Sequence, residues 1–167
     1  MNSPGSHSAD LGLNAYWQAV YRVEHPFRPF VLRFLGAENP SSGHAGLGDP
    51  WAIVTAFNPQ SRTLRGGENL DRHDRLREAI RARGLCAFGS VSSDGRGHWK
   101  ERGFAVVGIP RSAALELGRL FEQRAVVCGE NGRIGLLAMK TEQWLARPAR
   151  VFNARRLSPG RLPAAAR

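Results

Sequence analysis

Short apolar runs alternate along the chain with polar stretches rich in glycine and proline, and the spacing inside each run assigns it to a helix or a strand. Leu13, Trp17, Val20 and Tyr21 recur at helical intervals. They predict an amphipathic helix over 13–24, stopped at His25-Pro26 because the residue before proline avoids the α region. Phe30 to Leu35 reads as a strand, and 36–50 holds the Gly, Pro, Ser and Asn of a loop. The unbroken apolar run Trp51 to Phe57 predicts a strand covered on at least one face and central in its sheet, ended by Asn58-Pro59. After a polar loop, Asn69 is placed to cap a helix reaching Arg83, with Leu76, Ala79 and Ile80 turned inward and Gly84 terminating it. Leu85 to Val91 and Trp99 to Ile109 are strands on either side of a turn at Asp94-Gly95. Pro110 opens a second helix with an apolar stripe of Ala113, Ala114, Leu117, Leu120 and Phe121. Ala125 to Cys128 and Ile134 to Leu137 form a hairpin across Asn131-Gly132. Beyond Met139 the pattern fades, apart from a helical turn around Trp144.

The core order is strand, helix, strand, strand, helix, strand. That order fits an α+β fold whose core is a ferredoxin-like split βαβ sandwich, with an extra N-terminal helix and strand and a C-terminal hairpin strand. Its usual strand order puts the runs beginning at Trp51 and Phe104 in the centre. It puts Cys86 and Cys128 on opposite edges, which argues against a disulfide between them. The expected organisation is a disordered N-terminus over 1–10, one α+β domain over 11–138, and a flexible tail over 139–167 rich in Pro, Ala and Arg.

The 167 residues are 42% apolar, enough for one domain whose core needs no disulfide or metal staple. The two cysteines have neither C-x-x-C nor zinc spacing, so neither a metal nor a cofactor is expected. Met1 to Ser6 are polar turn-formers without an apolar signal core, and no apolar run is long enough to span a bilayer. The expectation is a cytoplasmic protein with no membrane partner. The net charge is +10, of which residues 138–167 carry +6, with seven Lys and Arg against one acid. Such a chain attracts nucleic acid or a small anionic ligand, although an unconstrained tail from a GC-rich genome has the same composition.

The topology adds a location. Asn58, the helix beginning near Asn69, the Ser92–Gly97 turn with His98, Trp99 and Glu101, and Gln123 after the last helix are all expected on one rim. Arg62, Arg65 and Arg72 flank the helix start there, where free N–H groups and the helix dipole favour an anion, although Glu68 and Asp71 oppose this. Glu101 is the best acid–base candidate, and Trp99 could stack on a base or cover the core edge. Each residue also has an ordinary structural reading, as turn, cap or strand end. His73 and His98 are expected at the surface. No nucleophile elbow, P-loop or metal spacing occurs.

Thr55-Ala56-Phe57-Asn58-Pro59, then Asn69, Trp99-Lys100-Glu101, Phe104-Ala105-Val106-Val107-Gly108 and Phe121-Glu122-Gln123-Arg124-Ala125-Val126 together resemble domain-of-unknown-function family 3293. The resemblance covers Tyr16 to Leu137. It implies a compact bacterial cytoplasmic domain, and it implies no activity. The polar positions it matches are Thr55, Asn58, Asn69, Glu101 and Gln123. The function expected is a binding or regulatory module with a polar rim site for an anionic ligand or nucleic acid. The alternatives are an enzyme using Glu101 as general acid or base, and a purely structural partner.

Overall fold

The computed structural model describes residues 12–36 and 45–156. A short helix α1 (Asn14–Gln18) leads into strands β1 (Val20–Val23), β2 (Phe30–Phe34) and β3 (Trp51–Thr55). Helix α2 (Gly66–Ala82) follows, then β4 (Cys86–Ser93), β5 (Lys100–Val107) and helix α3 (Arg111–Leu120). Four more strands follow among the described residues: β6 (Ala125–Glu130), β7 (Arg133–Ala138), β8 (Trp144–Ala146) and β9 (Ala149–Asn153). All nine strands join one sheet in the order β8-β7-β6-β3-β5-β4-β1-β2-β9. Every pairing in it is antiparallel.

This corrects the ferredoxin-like expectation. The protein is a nine-stranded antiparallel sheet curled into a half-barrel, with few helices, and not a βαβ sandwich. The physical reason lies in the strands themselves. A sandwich with helices on one side leaves the other sheet face to solvent, but here both faces are apolar. On the outer face Ala52, Val54, Val106, Val126 and Leu137 pack under Leu76 and Ile80 of α2 and Ala114 and Leu117 of α3. On the inner face Tyr21, Leu32, Trp51, Ile53, Ala105, Val127, Leu136 and Ala149 share a second cluster with Trp17 of α1. Residues from strands near both edges meet in that cluster, so the inner face is buried by curling the sheet around it.

The chain path enforces the curl. Strands β8 and β9 lie at opposite ends of the sheet order, yet only Arg147 and Pro148 connect them. Laid flat, nine strands would span about 38 Å, whereas three Cα–Cα steps reach about 11 Å. The two-residue link therefore clasps the edges together. Its Arg147 N–H donates to the Ile134 carbonyl beside β8 (3.0 Å), and its Pro148 carbonyl accepts from the Leu35 N–H after β2 (2.8 Å). The Arg147 guanidinium stacks 4.2 Å over the Trp17 ring.

Several local expectations also change. The stretch 13–24 is not one helix, because Val20-Tyr21-Arg22-Val23 pairs on both sides as β1. The residues around Trp144 are a strand rather than a helical turn, and β8 and β9 fall within the stretch expected as a tail. Residues 1–10 lie outside the described residues. Asn69 sits inside the first turn of α2, whose N-cap position is Arg65. At the centre of the sheet Trp51 lies directly across from Gly129, and a Cβ there would run into the indole ring. Both cysteines are free, and no described helix is long and apolar enough to cross a membrane.

Candidate functional site

Strand alternation sends Thr55, Ser90, Ser92, Glu101 and Gly103 to the inner face along with Tyr21. The registers line these up across the sheet. Thr55, Gly103 and Ser90 lie in one row, and Glu101, Ser92 and Tyr21 in the next. A Cβ at Gly103 would sit 2.5 Å from the Val54 carbonyl oxygen and 3.1 Å from Ser90 Oγ, so only glycine fits there. Around this patch the half-barrel holds a cavity of about 280 Å³, near the lower end of small-molecule sites. Ile53, Ala125 and Val127 form its apolar floor, and Ala15, Tyr16 and Ala19 of the N-terminal segment form one wall. Glu101, Ser90, Ser92, Gln123 and Asn58 make it polar at one end, with Trp99 at its mouth, 36% exposed.

Two tight turns bring Asn58 and Gln123 to that end. Asn58, Gln60, Ser61 and Glu122 all have positive φ, between 48° and 60°. They hold one another there: the Gln60 N–H (2.8 Å) and Nε2 (3.1 Å) both donate to the Glu122 carbonyl. Non-glycine residues in this region cost energy, and such strain gathers where surrounding structure over-determines a site. Asn58 is the hub. Its Nδ2 donates to Glu101 Oε1 (2.8 Å), and its Oδ1 accepts from Asn69 Nδ2 (3.0 Å) and the Leu64 N–H (3.1 Å). Asn69, buried on α2, returns its Oδ1 to the Asn58 N–H (2.9 Å). Thus Asn69 works behind the cavity, orienting the residue that orients Glu101. Buried Gln123 donates from Nε2 to the Phe57 and Phe121 carbonyls, both at 3.1 Å. Thr55 donates to the Arg102 carbonyl (2.6 Å) and accepts from the Phe57 N–H (3.1 Å).

Glu101 is the electrostatic centre. Burial raises its pKa above the usual carboxylate range, with the Asn58 hydrogen bond pulling the other way. Its Oε2 takes no hydrogen bond among the described residues. Burial raises the Tyr16 phenol as well, opposed by the Arg124 backbone and reinforced by the Glu101 charge. Tyr21 is pushed well up, chiefly by burial, while its hydroxyl donates to the Tyr16 carbonyl (2.7 Å).

The arginines expected at an anion site lie elsewhere. Arg62 and Arg65 are exposed and do not line the cavity. Arg72 is a strut: Nε donates to the Ala56 carbonyl and Nη2 to the Phe121 carbonyl, both at 2.7 Å, and Nη1 pairs with Glu122 (3.2 Å). Among the described residues no Lys, Arg or His lines the cavity. Of the two histidines expected at the surface, His98 is exposed beside Asp94, but His73 is buried under α2. His73 stacks on Phe104 at 4.5 Å, and burial lowers its pKa. Among the described residues no three His, Cys, Asp or Glu side chains gather as a metal site requires.

Tyr16, Tyr21, Ser61, Thr63, Ser90 and Ser92 line the cavity without having been singled out from the sequence. The available signal was the polar Ser90 and Ser92 at alternate positions of an otherwise apolar strand. No curated protein and no solved structure matches the chain. Residues 54–126, which hold Thr55, Asn58, Asn69, Glu101 and Gln123, match the family described as Protein of unknown function (DUF3293), the one that the Thr55–Pro59, Trp99–Glu101 and Phe121–Val126 segments resemble.

Proposed function

We infer that the protein binds a small, largely apolar molecule that presents a hydrogen-bond donor, such as an amine or an amide, to Glu101. The observation that carries this reading is a half-buried carboxylate held at one oxygen by Asn58 and open at the other, at the polar end of an apolar cavity lined by no cation among the described residues. A donor on the ligand would satisfy Glu101 Oε2, and a positive charge would also compensate for its burial. Trp99, Tyr16 and Tyr21 add aromatic faces that favour an ammonium group. An anionic ligand would meet Glu101 with no cation among the described residues lining the cavity to offset the repulsion, so the small-anion expectation is not carried into this cavity.

The test is a thermal-shift and tryptophan-fluorescence screen of the full chain against small amines, amides and carboxylates matched in size. At about a hundred times Kd a binder stabilises by about 2.7 kcal/mol, a rise of about 5–10 °C in Tm. Amines or amides should give it, and Glu101→Gln and the cavity-filling Ile53→Trp should each remove it. Carboxylates stabilising more than amines, or binding that survives Ile53→Trp, would refute the assignment.

A second reading rests on the same carboxyl. With a raised pKa, a free oxygen and Ser92 alongside, Glu101 also suits a general acid or base acting on a neutral substrate. Mass spectrometry of each screening hit before and after incubation decides between them, because a module returns the ligand unchanged and an enzyme does not.

A further inference from the structure

The outer sides of β5, β4, β1, β2 and β9 tell a different story from the cavity behind them. The alternation that sends Glu101 inward sends Lys100 and Arg102 outward. Lys100, Arg33 and Arg150 fall in one cross-strand row, with Ser93 and Val20 between them. Arg102 and Arg22 fall in the next, followed by Val31 and Phe152. At about 4.8 Å per strand these rows cover about 19 Å. No Asp or Glu occupies an outward position in them. Glu24 borders the face past the end of β1, and Asp94 is engaged by the N–H groups of its own turn.

Around the helices Arg72, Arg77, Arg81, Arg83, Arg111 and Arg119 each pair with a carboxylate, while Arg62, Arg65 and Arg75 are exposed without one among the described residues. Arg22, Lys100 and Arg102 are exposed and pair with no carboxylate among the described residues. Apolar groups on this face are already covered: Val20, Val31 and Ala154 are buried, with Phe152 packed against them. The two rows carry no exposed large apolar side chain, which makes them poorly suited to insertion into a lipid interface, whereas spaced cations suit a sugar–phosphate backbone. Trp99, next to Lys100 in sequence and lining the cavity, offers a ring on which a base can stack where this face meets the cavity mouth.

We propose that the outer face of β5-β4-β1-β2-β9 is a nucleic-acid-binding surface that holds the phosphates of a single strand through Arg22, Lys100 and Arg102. Recognition is by charge and spacing and is independent of sequence. The surface lies on the opposite side of the sheet from the cavity and shares only Trp99 with it, and neither proposal depends on the other.

The test is a fluorescence-anisotropy titration of the full chain with labelled DNA and RNA single strands of about 20 nucleotides. Three phosphate contacts give a log–log salt slope of about −2, or about twentyfold weaker binding between 50 and 200 mM salt. The triple variant Arg22→Gln, Lys100→Gln, Arg102→Gln should flatten the slope by about 2 units and weaken low-salt binding at least tenfold. The control Arg77→Gln, Arg81→Gln, Arg119→Gln removes the same charge from the helix side and should stay within threefold of the parent. Circular dichroism checks both folds, and if the face variant fails to fold, its three single Gln variants give the same comparison. The proposal is overturned by no binding at low salt, by equal losses in face variant and control, or by binding to phosphatidylserine vesicles but not to either strand.

Discussion

Replacing Arg72 with alanine tests whether this residue is a strut or a ligand holder. Its side chain is 14% exposed and ties the end of β3 to the end of α3 through the Ala56 and Phe121 carbonyls. A hydrogen bond from a charged donor is worth about 1.5–3 kcal/mol. The Phe121 carbonyl keeps a second donor in Gln123, so its loss is the smaller of the two. The pair to Glu122, which is half exposed, adds at most about 1 kcal/mol, and freeing the arginine side chain returns up to about 2 kcal/mol of entropy. The net expectation for Arg72→Ala is a loss of about 2–3 kcal/mol, or about 5–10 °C in Tm. Arg77→Ala, which breaks an exposed pair with Asp74 on α2, should cost no more than about 0.5 kcal/mol. Urea denaturation followed by circular dichroism measures both, and the Arg72 deficit should persist in high salt because its main partners are carbonyls. If Arg72→Ala falls within about 0.5 kcal/mol of Arg77→Ala, the strut reading is wrong and the residue is available to a ligand.

Two further outcomes follow from the buried groups. Because burial raises the folded-state pKa of Glu101, the folded state binds its proton more tightly than the unfolded chain, and that stability is lost as pH rises through the folded value. Glu101→Gln should therefore raise Tm over the parent near pH 7 and match it near pH 4 (about half a unit below the unperturbed carboxyl); a larger gain at the acidic end would reverse the assignment. Cys128 is buried with its pKa pushed up to about 12, whereas Cys86 is exposed. Ellman's reagent should thus titrate one thiol in the native protein and two in denaturant; two fast native thiols would contradict the packing around β6.

The sequence carried the central elements more clearly than the architecture. The strands and helices from Trp51 to Ala138 were readable because each buries a full stripe or a continuous run, and periodicity reports burial directly. The half-barrel was not readable, because it depends on which strand lies beside which. Nothing local in Val20-Tyr21-Arg22-Val23 says that it pairs with β4, and without that pairing Tyr21 cannot be placed next to Ser92 and Glu101. The same holds for β8 and β9, three and five residues long, whose stability comes from neighbours rather than pattern. Thr55, Asn58, Glu101 and Gln123 were legible because they sit where strands and helices end, and the ends of regular elements are marked by their sequence. The strut geometry of Arg72 is not legible in the sequence, because a cation near a helix start suits an anion equally well in the abstract, and only the structure shows two of its donors on carbonyls at 2.7 Å.

The Arg147-Pro148 clasp also bears on the protein before it is finished. An open sheet has two borders that must each be guarded against pairing with another molecule. Here both borders are supplied by one late stretch, Trp144 to Asn153. On the ribosome, β2 and β7 are therefore both made before either acquires its outer neighbour, and both carry apolar runs, Phe30-Val31-Leu32 and Leu136-Leu137-Ala138. The nascent chain is consequently prone to aggregate in the interval before β8 and β9 emerge, and a single docking event ends that exposure at both borders at once.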